Sequence, residues 1–300
     1  WKNFVSKLTA GKIFLKPATF QYLAPDNLQG AIEYLSENAP DANLLAGGQS
    51  LVPMMNFRLA RPKVLIDLNL IPELAFIRED KNHLVIGAMT RERDIENDKL
   101  VHEHSPLLHR ATLNIGHLPI RSRGTIGGSI ANADPAAEYP AVILALDASL
   151  KALSVRGARE IPAEEFFEGA LSTALDADEI LTEIRIPKAP EDSGAAFEEI
   201  ARRKGDFALA GVAAQVTLKK GIVKGVRVAA CGVGAGPIRL RNAEEIVRGQ
   251  SITDELIAAA GHAASAEVEP EGDVHATADY RRKLPGIMTR RAILKAIECA

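Results

Sequence analysis

The sequence predicts an α+β protein, and three observations support this fold class. In the second half of the 300-residue chain, apolar segments typical of strands come first and helical patterns follow. A chain of this length is expected to hold about two domains of roughly 150 residues each. Between the two halves, residues 188–194 (KAPEDSG) combine proline, glycine and acidic residues, as linkers do. We therefore place a domain boundary there.

In the first half, residues 20–37 are predicted to form a strand or extended entry followed by a helix, for which Asp26 and Gln29 would form a capping box. Short strands are predicted at residues 44–45 and 64–68. A hairpin is predicted from residues 74–78 and 83–87. The remaining elements of this half are helices at 90–96, 106–114 (capped by Ser105) and 139–146, and strands at 149–155, 159–161 and 180–186.

The second half changes character after the linker. Its strands are predicted at residues 195–202, 212–218 and 223–231, with a turn at 219–221 between the last two. Its helices are predicted at residues 243–248, 254–264 and 288–298, the second with Thr253 as its cap.

Charge and composition exclude several classes of function. The formal net charge of −3 offers no basic surface, so a nucleic acid is not expected as a partner. No apolar run approaches the roughly 18 residues that a membrane span needs. The mildly basic start of the chain, residues 1–17, lacks the apolar core and cleavage pattern of a signal peptide. A cytoplasmic protein without a membrane span is the simplest interpretation.

Metal binding is not predicted for this chain. Its two cysteines, Cys231 and Cys299, are too few for an iron–sulfur cluster or a four-cysteine zinc site. His102, His104 and His109 lie close in sequence, but residues two apart on a helix do not share a face. We interpret these histidines as surface residues. Any redox chemistry then needs an organic cofactor or a partner's metal.

Two glycine-rich segments have the character of ligand-binding loops. Residues 46–50 read AGGQS and follow a short apolar strand, and residues 121–135 read RSRGTIGGSIANADP. Small side chains allow backbone N–H groups to approach an anion, so two such loops suit a diphosphate. Asn132 and Asp134, which follow the second glycine pair, could bond the polar edges of a flat cofactor. Ser50 lies where a helix N-terminus would face an anion.

The alternative interpretation is that the glycines only form tight turns, and for either loop alone it is the better one. The two loops together favour a ligand. The pattern is not GxGxxG, so a Rossmann dinucleotide fold is not indicated.

The two glycine-rich segments and their flanking residues resemble a known family. AGGQSLVPMM followed by IRSRGTIGGSIANADP is similar to the FAD-binding medium subunit of the molybdenum hydroxylases, which include xanthine dehydrogenase and the carbon monoxide dehydrogenase flavoprotein. ARRKGDFALAGVA and YRRKLPGIMTRRA extend the resemblance to nearly the whole chain from about Lys16.

The resemblance implies a two-subdomain FAD-binding fold like that of the vanillyl-alcohol-oxidase (PCMH) flavoproteins, at residues 16–187. Its subdomains would cover about 16–68 and 69–187. A C-terminal domain of antiparallel sheet and helices would follow at residues 195–300. Two departures, Gln49 for histidine and Ser129 for asparagine, keep hydrogen-bonding capacity, so FAD binding should survive.

The resemblance also implies the cofactor-binding residues. The segment from Leu45 to Leu51 and that from Thr125 to Ser129 would hold the FAD diphosphate. Asp134 and Glu138 would lie on the flavin side of the second loop, and Ile180 and Leu181 would approach the isoalloxazine. Phe207 matches a position near one flavin face, although core packing is its alternative interpretation. The complete set is Leu45, Ala46, Gly47, Gly48, Gln49, Ser50, Leu51, Thr125, Ile126, Gly127, Gly128, Ser129, Asn132, Asp134, Glu138, Ile180, Leu181 and Phe207.

The implied function is electron transfer through FAD, with no catalytic side chain assigned. A large molybdopterin-containing subunit would hydroxylate the substrate, and a small [2Fe–2S] subunit would relay electrons to this chain. The assembly would be a heterotrimer, commonly doubled to a dimer of heterotrimers. The alternatives are a self-sufficient FAD-dependent oxidoreductase that binds its own organic substrate and a cofactor-free interaction module.

Overall fold

The computed structural model describes residues 16–300, which form sheets of three, five and four strands, a two-stranded ribbon and the helices packed on them. The predicted lack of a signal peptide concerns mainly residues 1–15, which lie outside the described residues. Within residues 16–300, no helix combines the length and the apolar character needed to cross a membrane.

The first sheet is parallel. Its strands in spatial order are β1 (Gln21–Leu23), β3 (Val64–Asp67) and β2 (Ala42–Leu45). Helix α1 (Leu28–Asn38) connects β1 to β2 and buries Ile32 and Leu35. The predicted capping box is wrong, because Asn27 rather than Asp26 caps α1: its Oδ1 accepts from the Gly30 N–H at 2.9 Å. The Gln29 side chain instead donates to Glu33.

The second sheet is antiparallel. Its strands in spatial order are β4 (Ile77–Glu79), β5 (His83–Gly87), β10 (Ile180–Pro187), β6 (Ser149–Ser154) and β7 (Gly157–Pro162). The predicted hairpin is present, but its first strand begins at Ile77 because Pro72–Leu74 forms a 3-10 turn. The predicted pairing of residues 149–155 with 159–161 is confirmed, with Leu150 opposite Ile161.

Short elements fill the sequence between these strands. They are α2 (Leu51–Asn56), α3 (Glu92–Asn97), α4 (Lys99–His104), α5 (Pro106–Thr112), α6 (Leu118–Arg121), α7 (Ile126–Asn132), α8 (Glu138–Ala145), α9 (Ala163–Phe166) and the ribbon β8 (Phe167–Gly169) with β9 (Ser172–Thr173). The helix predicted from residue 90 begins at Glu92, because the Thr90 hydroxyl bonds the Phe76 backbone. Ser105 precedes α5, but its side chain makes no capping bond. Helix α4, capped by Asp98, was not predicted.

The last third of the chain has the predicted order of strands followed by helices. Its antiparallel sheet contains β11 (Ser193–Ala201), β12 (Ala208–Lys219), β13 (Ile222–Cys231) and β14 (Ile238–Arg239). Its helices are α10 (Arg241–Val247), α11 (Asp254–Ala266) and α12 (Ala278–Glu298). Thr253 caps α11 as predicted, accepting from the Leu256 N–H at 3.2 Å. Helix α12 begins ten residues earlier than predicted and contains Pro285.

The largest apolar core crosses from the second sheet to the third. Ile126 and Tyr139 belong to the same buried cluster as Phe197 and Ala208. The Gly232 N–H donates to the Pro135 carbonyl at 2.7 Å, which ties β13 to the segment after α7. This packing brings residues 205–207, which precede β12, to the cavity described next.

Candidate functional site

A cavity of about 770 Å³ lies where the three sheets meet, and both glycine-rich segments border it. We call residues 46–50 the first glycine loop and residues 125–129 the second glycine loop. Most of the residues implied by the family resemblance line this cavity. They are Ala46, Gly47, Gly48, Gln49, Ser50, Leu51, Thr125, Gly127, Gly128, Ser129, Asn132, Asp134, Glu138, Ile180, Leu181 and Phe207.

Leu45 and Ile126 do not border the cavity. Ile126 is fully buried in the main core, and its apolar side chain anchors the second glycine loop from behind. Leu45 ends β2, and its side chain lies under Gly48. The structure therefore gives these two residues a supporting position rather than one facing the cavity.

The first glycine loop offers backbone donors to the cavity. Within residues 16–300, no acceptor is bonded to the N–H groups of Gly47, Gly48, Gln49 or Ser50. Gly48 has φ +72°, a conformation that favours glycine. The Gln49 side chain folds back and donates to the Gly47 carbonyl at 3.0 Å. A run of unbonded N–H groups beside a cavity is an anion-binding arrangement.

The second glycine loop differs, because protein acceptors already bond the N–H groups of residues 126–129. Ile126 donates to Thr90, and Gly127 donates to the Ala88 carbonyl at 2.9 Å. Gly128 donates to the Thr125 hydroxyl at 3.1 Å, which caps α7. A Cβ on Gly127 would lie 2.4 Å from the Ala88 Cβ. Close packing against the Ala88 segment therefore explains why glycine stands at this position. The expected approach of a ligand to its N–H does not.

A polar network holds the two glycine loops together. Arg91 donates to the Arg123 carbonyl, just before the second glycine loop, and to Asn69 Oδ1 at 2.6 Å. Asn69 in turn donates to the Ala46 carbonyl at 3.0 Å. Direct packing adds to this link, since a Cβ on Gly47 would lie 2.3 Å from the Arg123 carbonyl oxygen. The sequence analysis missed Asn69 and Arg91, whose role depends on contacts between distant segments.

Two buried glutamates border the cavity on the side of the second glycine loop. Glu138, only 4% exposed, begins α8, and burial together with the charge of Glu199 raises its pKa to about 8. Glu92 begins α3, and burial raises its pKa to about 7 against the opposing effect of Arg121. Asp134 bonds a neighbouring backbone group: its Oδ1 accepts from the Ala136 N–H at 2.9 Å.

Apolar side chains form the rest of the wall. Ile180 and Leu181 are buried at the start of β10 and border the cavity. Phe207 also borders it and is 59% exposed, so the alternative interpretation of Phe207 as a core residue is wrong. Apolar side chains and an exposed aromatic ring beside unbonded amides suit a ligand with an aromatic ring and an anionic group.

Comparisons with known proteins identify the family. Residues 18–189 match the FAD-binding domain in molybdopterin dehydrogenase, and residues 195–296 match the carbon monoxide dehydrogenase flavoprotein C-terminal domain. The chain belongs to this flavoprotein family. As a member, it carries an FAD-binding domain and is the flavoprotein component of an oxidoreductase.

Relatives cover almost the whole chain. The alpha subunit of the 6-hydroxypseudooxynicotine dehydrogenase complex of Paenarthrobacter nicotinovorans is 41% identical over 95% of this chain and 97% of its own length. The beta subunit of caffeine dehydrogenase from a Pseudomonas species is 40% identical over the same shares. A solved carbon monoxide dehydrogenase structure from Hydrogenophaga pseudoflava superposes with a TM-score of 0.93 at 40% identity, covering 95% of this chain and 99% of that one.

The cavity of this flavoprotein fits FAD. The unbonded N–H groups of the first glycine loop can donate hydrogen bonds to a diphosphate, and the apolar wall with Phe207 can contact the ring system. Among the described residues, the lining contains no lysine, arginine, histidine or cysteine. Backbone donors are therefore the main groups available to an anion. Within residues 16–300, no group of three or more histidine, cysteine or acidic side chains is placed to hold a metal ion.

Proposed function

We propose that this chain is the electron-transfer subunit of a molybdenum hydroxylase complex. It would take electrons from the [2Fe–2S] clusters of a small subunit, which a large molybdopterin-containing subunit reduces, and pass them to an external acceptor. FAD supplies the redox chemistry when bound, and the protein supplies binding and access. We further propose a dimer of heterotrimers and a cytoplasmic location.

The proposed FAD site comprises the cavity-lining residues of both glycine loops, with Asn132, Asp134, Glu138, Ile180, Leu181 and Phe207. Leu45 and Ile126 complete it by supporting the loops from behind. We propose the FAD-binding domain at residues 16–187, with subdomains about 16–68 and 69–187, and the C-terminal domain at residues 195–300.

One observation favours electron transfer over a self-sufficient oxidoreductase. The described cavity lining offers backbone donors, carboxyls, hydroxyls and apolar groups, but no imidazole, thiol or amine. Such groups are common bases and nucleophiles in enzymes that activate their own organic substrate, although a carboxyl can also act as a base. Exposed Phe207 at the wall is consistent with a flavin that exchanges electrons at an accessible edge.

Anaerobic reduction of the isolated, FAD-loaded subunit tests this function. We expect dithionite to bleach the flavin, and we expect N-heterocycles and aldehydes to leave it oxidised until the two partner subunits are added. Rapid bleaching by an organic substrate without partners would favour the self-sufficient oxidoreductase. Native mass spectrometry of the complex from its source tests the partners and their stoichiometry.

A further inference from the structure

We propose that Glu92 is a protonated carboxylic acid in the cavity wall that donates a hydrogen bond to the bound cofactor and makes FAD binding weaker as the pH rises. This inference rests on the proposed location of FAD in the cavity.

The geometry leaves the Glu92 carboxyl without a protein partner. The residue is 4% exposed and borders the cavity, and its Oε2 is a buried atom with no hydrogen-bond partner. The carboxyl group packs on the backbone of Gly124, where a Cβ would lie 2.5 Å from both of its oxygens. Gly124 therefore makes room for a carboxyl group immediately before the second glycine loop. The Glu92 N–H anchors the residue by donating to the Gly124 carbonyl at 3.0 Å.

Arg121 offsets a negative charge on Glu92 only in part. On α6, Arg121 is committed to Glu96, to which its Nε donates at 2.9 Å. On α8, Glu138 and Tyr139 both interact unfavourably with a negative charge on Glu92. Among the described residues, the cavity lining itself contains no basic side chain. An unpaired buried charge is costly, so the neutral acid is the favoured form.

A bound diphosphate adds to this preference, because a second negative charge in the same cavity repels an ionised Glu92. Protonation of Glu92 and binding of FAD therefore favour each other. Burial already raises the pKa of Glu92 to about 7, and an anionic ligand raises it further. FAD affinity is then at its full value below that pKa and declines as the pH rises through it.

Glu138 borders the same cavity and also has a raised pKa, so the test must separate the two groups. Glu92→Gln keeps the shape of the side chain and its donor, and it removes the titration. The informative quantity is the ratio of FAD affinity in E92Q to that in the wild type, measured again in the Glu138→Gln background because the charges of Glu92 and Glu138 interact. The control is Glu165→Gln, since Glu165 is an exposed acid on α9 that does not border the cavity.

FAD is removed from each protein and titrated back from about pH 6 to about pH 9, a range that brackets the transition, with binding followed by flavin fluorescence. We expect the E92Q-to-wild-type ratio to be near one at the acidic end and to rise to about ten at the basic end. The E165Q ratio should stay near one throughout. A ratio for E92Q that is constant across the range overturns the inference, whether that ratio is one or lower.

A second measurement keeps the inference open to refutation if E92Q does not fold. In Glu138→Gln apoprotein, where Glu92 is, among residues 16–300, the remaining cavity carboxyl with a raised pKa, infrared difference spectra against pH should contain a protonated-carboxyl band that disappears above about pH 7 and persists to higher pH when FAD is bound. Absence of an FAD-dependent shift overturns the role of Glu92. A wrong location for the FAD site would give a different result. FAD affinity would then be the same in Gly48→Ala as in the wild type.

Discussion

The two glycine loops look alike in sequence, yet they differ in the property that matters for an anion. The first glycine loop has N–H groups without described acceptors, and Gly48 adopts φ +72°. In the second glycine loop, the N–H groups of residues 126–129 are bonded to Thr90, Ala88 and Thr125. A Gly-Gly pair can therefore mark either a free donor array or a site of close protein packing. Sequence alone does not distinguish them.

The contrast extends to the walls behind the loops. The wall beside the second glycine loop carries the buried carboxyls of Glu92 and Glu138, whereas the first glycine loop presents backbone donors. An anionic group is thus better stabilised at the first glycine loop. The second glycine loop sets the position of the wall through its packing.

The largest expected effect comes from Gly127→Ala. Alanine in a helix interior normally stabilises by roughly 0.5–1 kcal/mol relative to glycine. Here the new Cβ would lie 2.4 Å from the Ala88 Cβ and 2.6 Å from its carbonyl oxygen. We expect the free energy of unfolding of the FAD-free protein to fall by about 2–3 kcal/mol, measured by urea denaturation.

Gly169→Ala is the control for this variant, because no atom lies within 4 Å of its added Cβ. Its stability should change by less than about 0.5 kcal/mol. If Gly127→Ala retains full stability without FAD and loses only cofactor affinity, the packing role of the second glycine loop is wrong.

Gly48→Ala should have a smaller effect on stability and a selective effect on the cofactor. A non-glycine residue in the left-handed region costs about 1–2 kcal/mol. Relief of that strain would rotate the neighbouring N–H groups, and we expect FAD affinity to fall about tenfold, as for one lost charge-assisted hydrogen bond. Both quantities can be measured on the same preparation, by denaturation and by flavin titration.

Gly221 provides the matched control for backbone strain. Its φ is +74°, close to that of Gly48, but it lies in the turn between β12 and β13 with open space around it. Gly221→Ala should lose a similar amount of stability and bind FAD with unchanged affinity. Equal FAD affinities in the two variants would contradict the donor role of the first glycine loop.

The sequence predicted much of the fold because local patterns determine it. The strands β5, β10, β12 and β13 follow clear apolar runs. The start of α12 was missed because Pro285 and Gly286 interrupt the helical pattern, whereas tertiary packing tolerates both. Gly286 lets α12 approach α11 closely, as a Cβ there would lie 2.5 Å from the Gly261 carbonyl oxygen.

The candidate site was predictable only in part. The glycine segments and the family motifs pointed to the residues that border the cavity. Glu92 and the link from Asn69 to Arg91 were missed, because their position depends on segments that are distant in sequence. Phe207 shows the same limit: an aromatic residue in an apolar strand region predicts burial, and only the packing of β12 leaves it at the cavity.

The smallest effect that we predict concerns the link between the glycine loops. Asn69→Ala removes the donor to the Ala46 carbonyl and the acceptor for Arg91. We expect a loss of FAD affinity worth about 1 kcal/mol, because the first glycine loop is no longer held in one position. Asn114→Ala is the control, since Asn114 makes a similar side-chain-to-carbonyl bond, to Arg110 at 3.0 Å, away from the cavity.

A double-mutant cycle with Arg91→Lys determines whether Asn69 acts through Arg91. Lysine keeps the charge but lacks the planar fork that reaches Asn69 and the Arg123 carbonyl together. If the two residues form one link, the double variant should lose less FAD affinity than the two single losses added, with a coupling of about 0.5–1 kcal/mol. Strict additivity would mean that Asn69 and Arg91 hold their loops independently. The Asn69 bond to the Ala46 carbonyl would then hold the first glycine loop without help from Arg91.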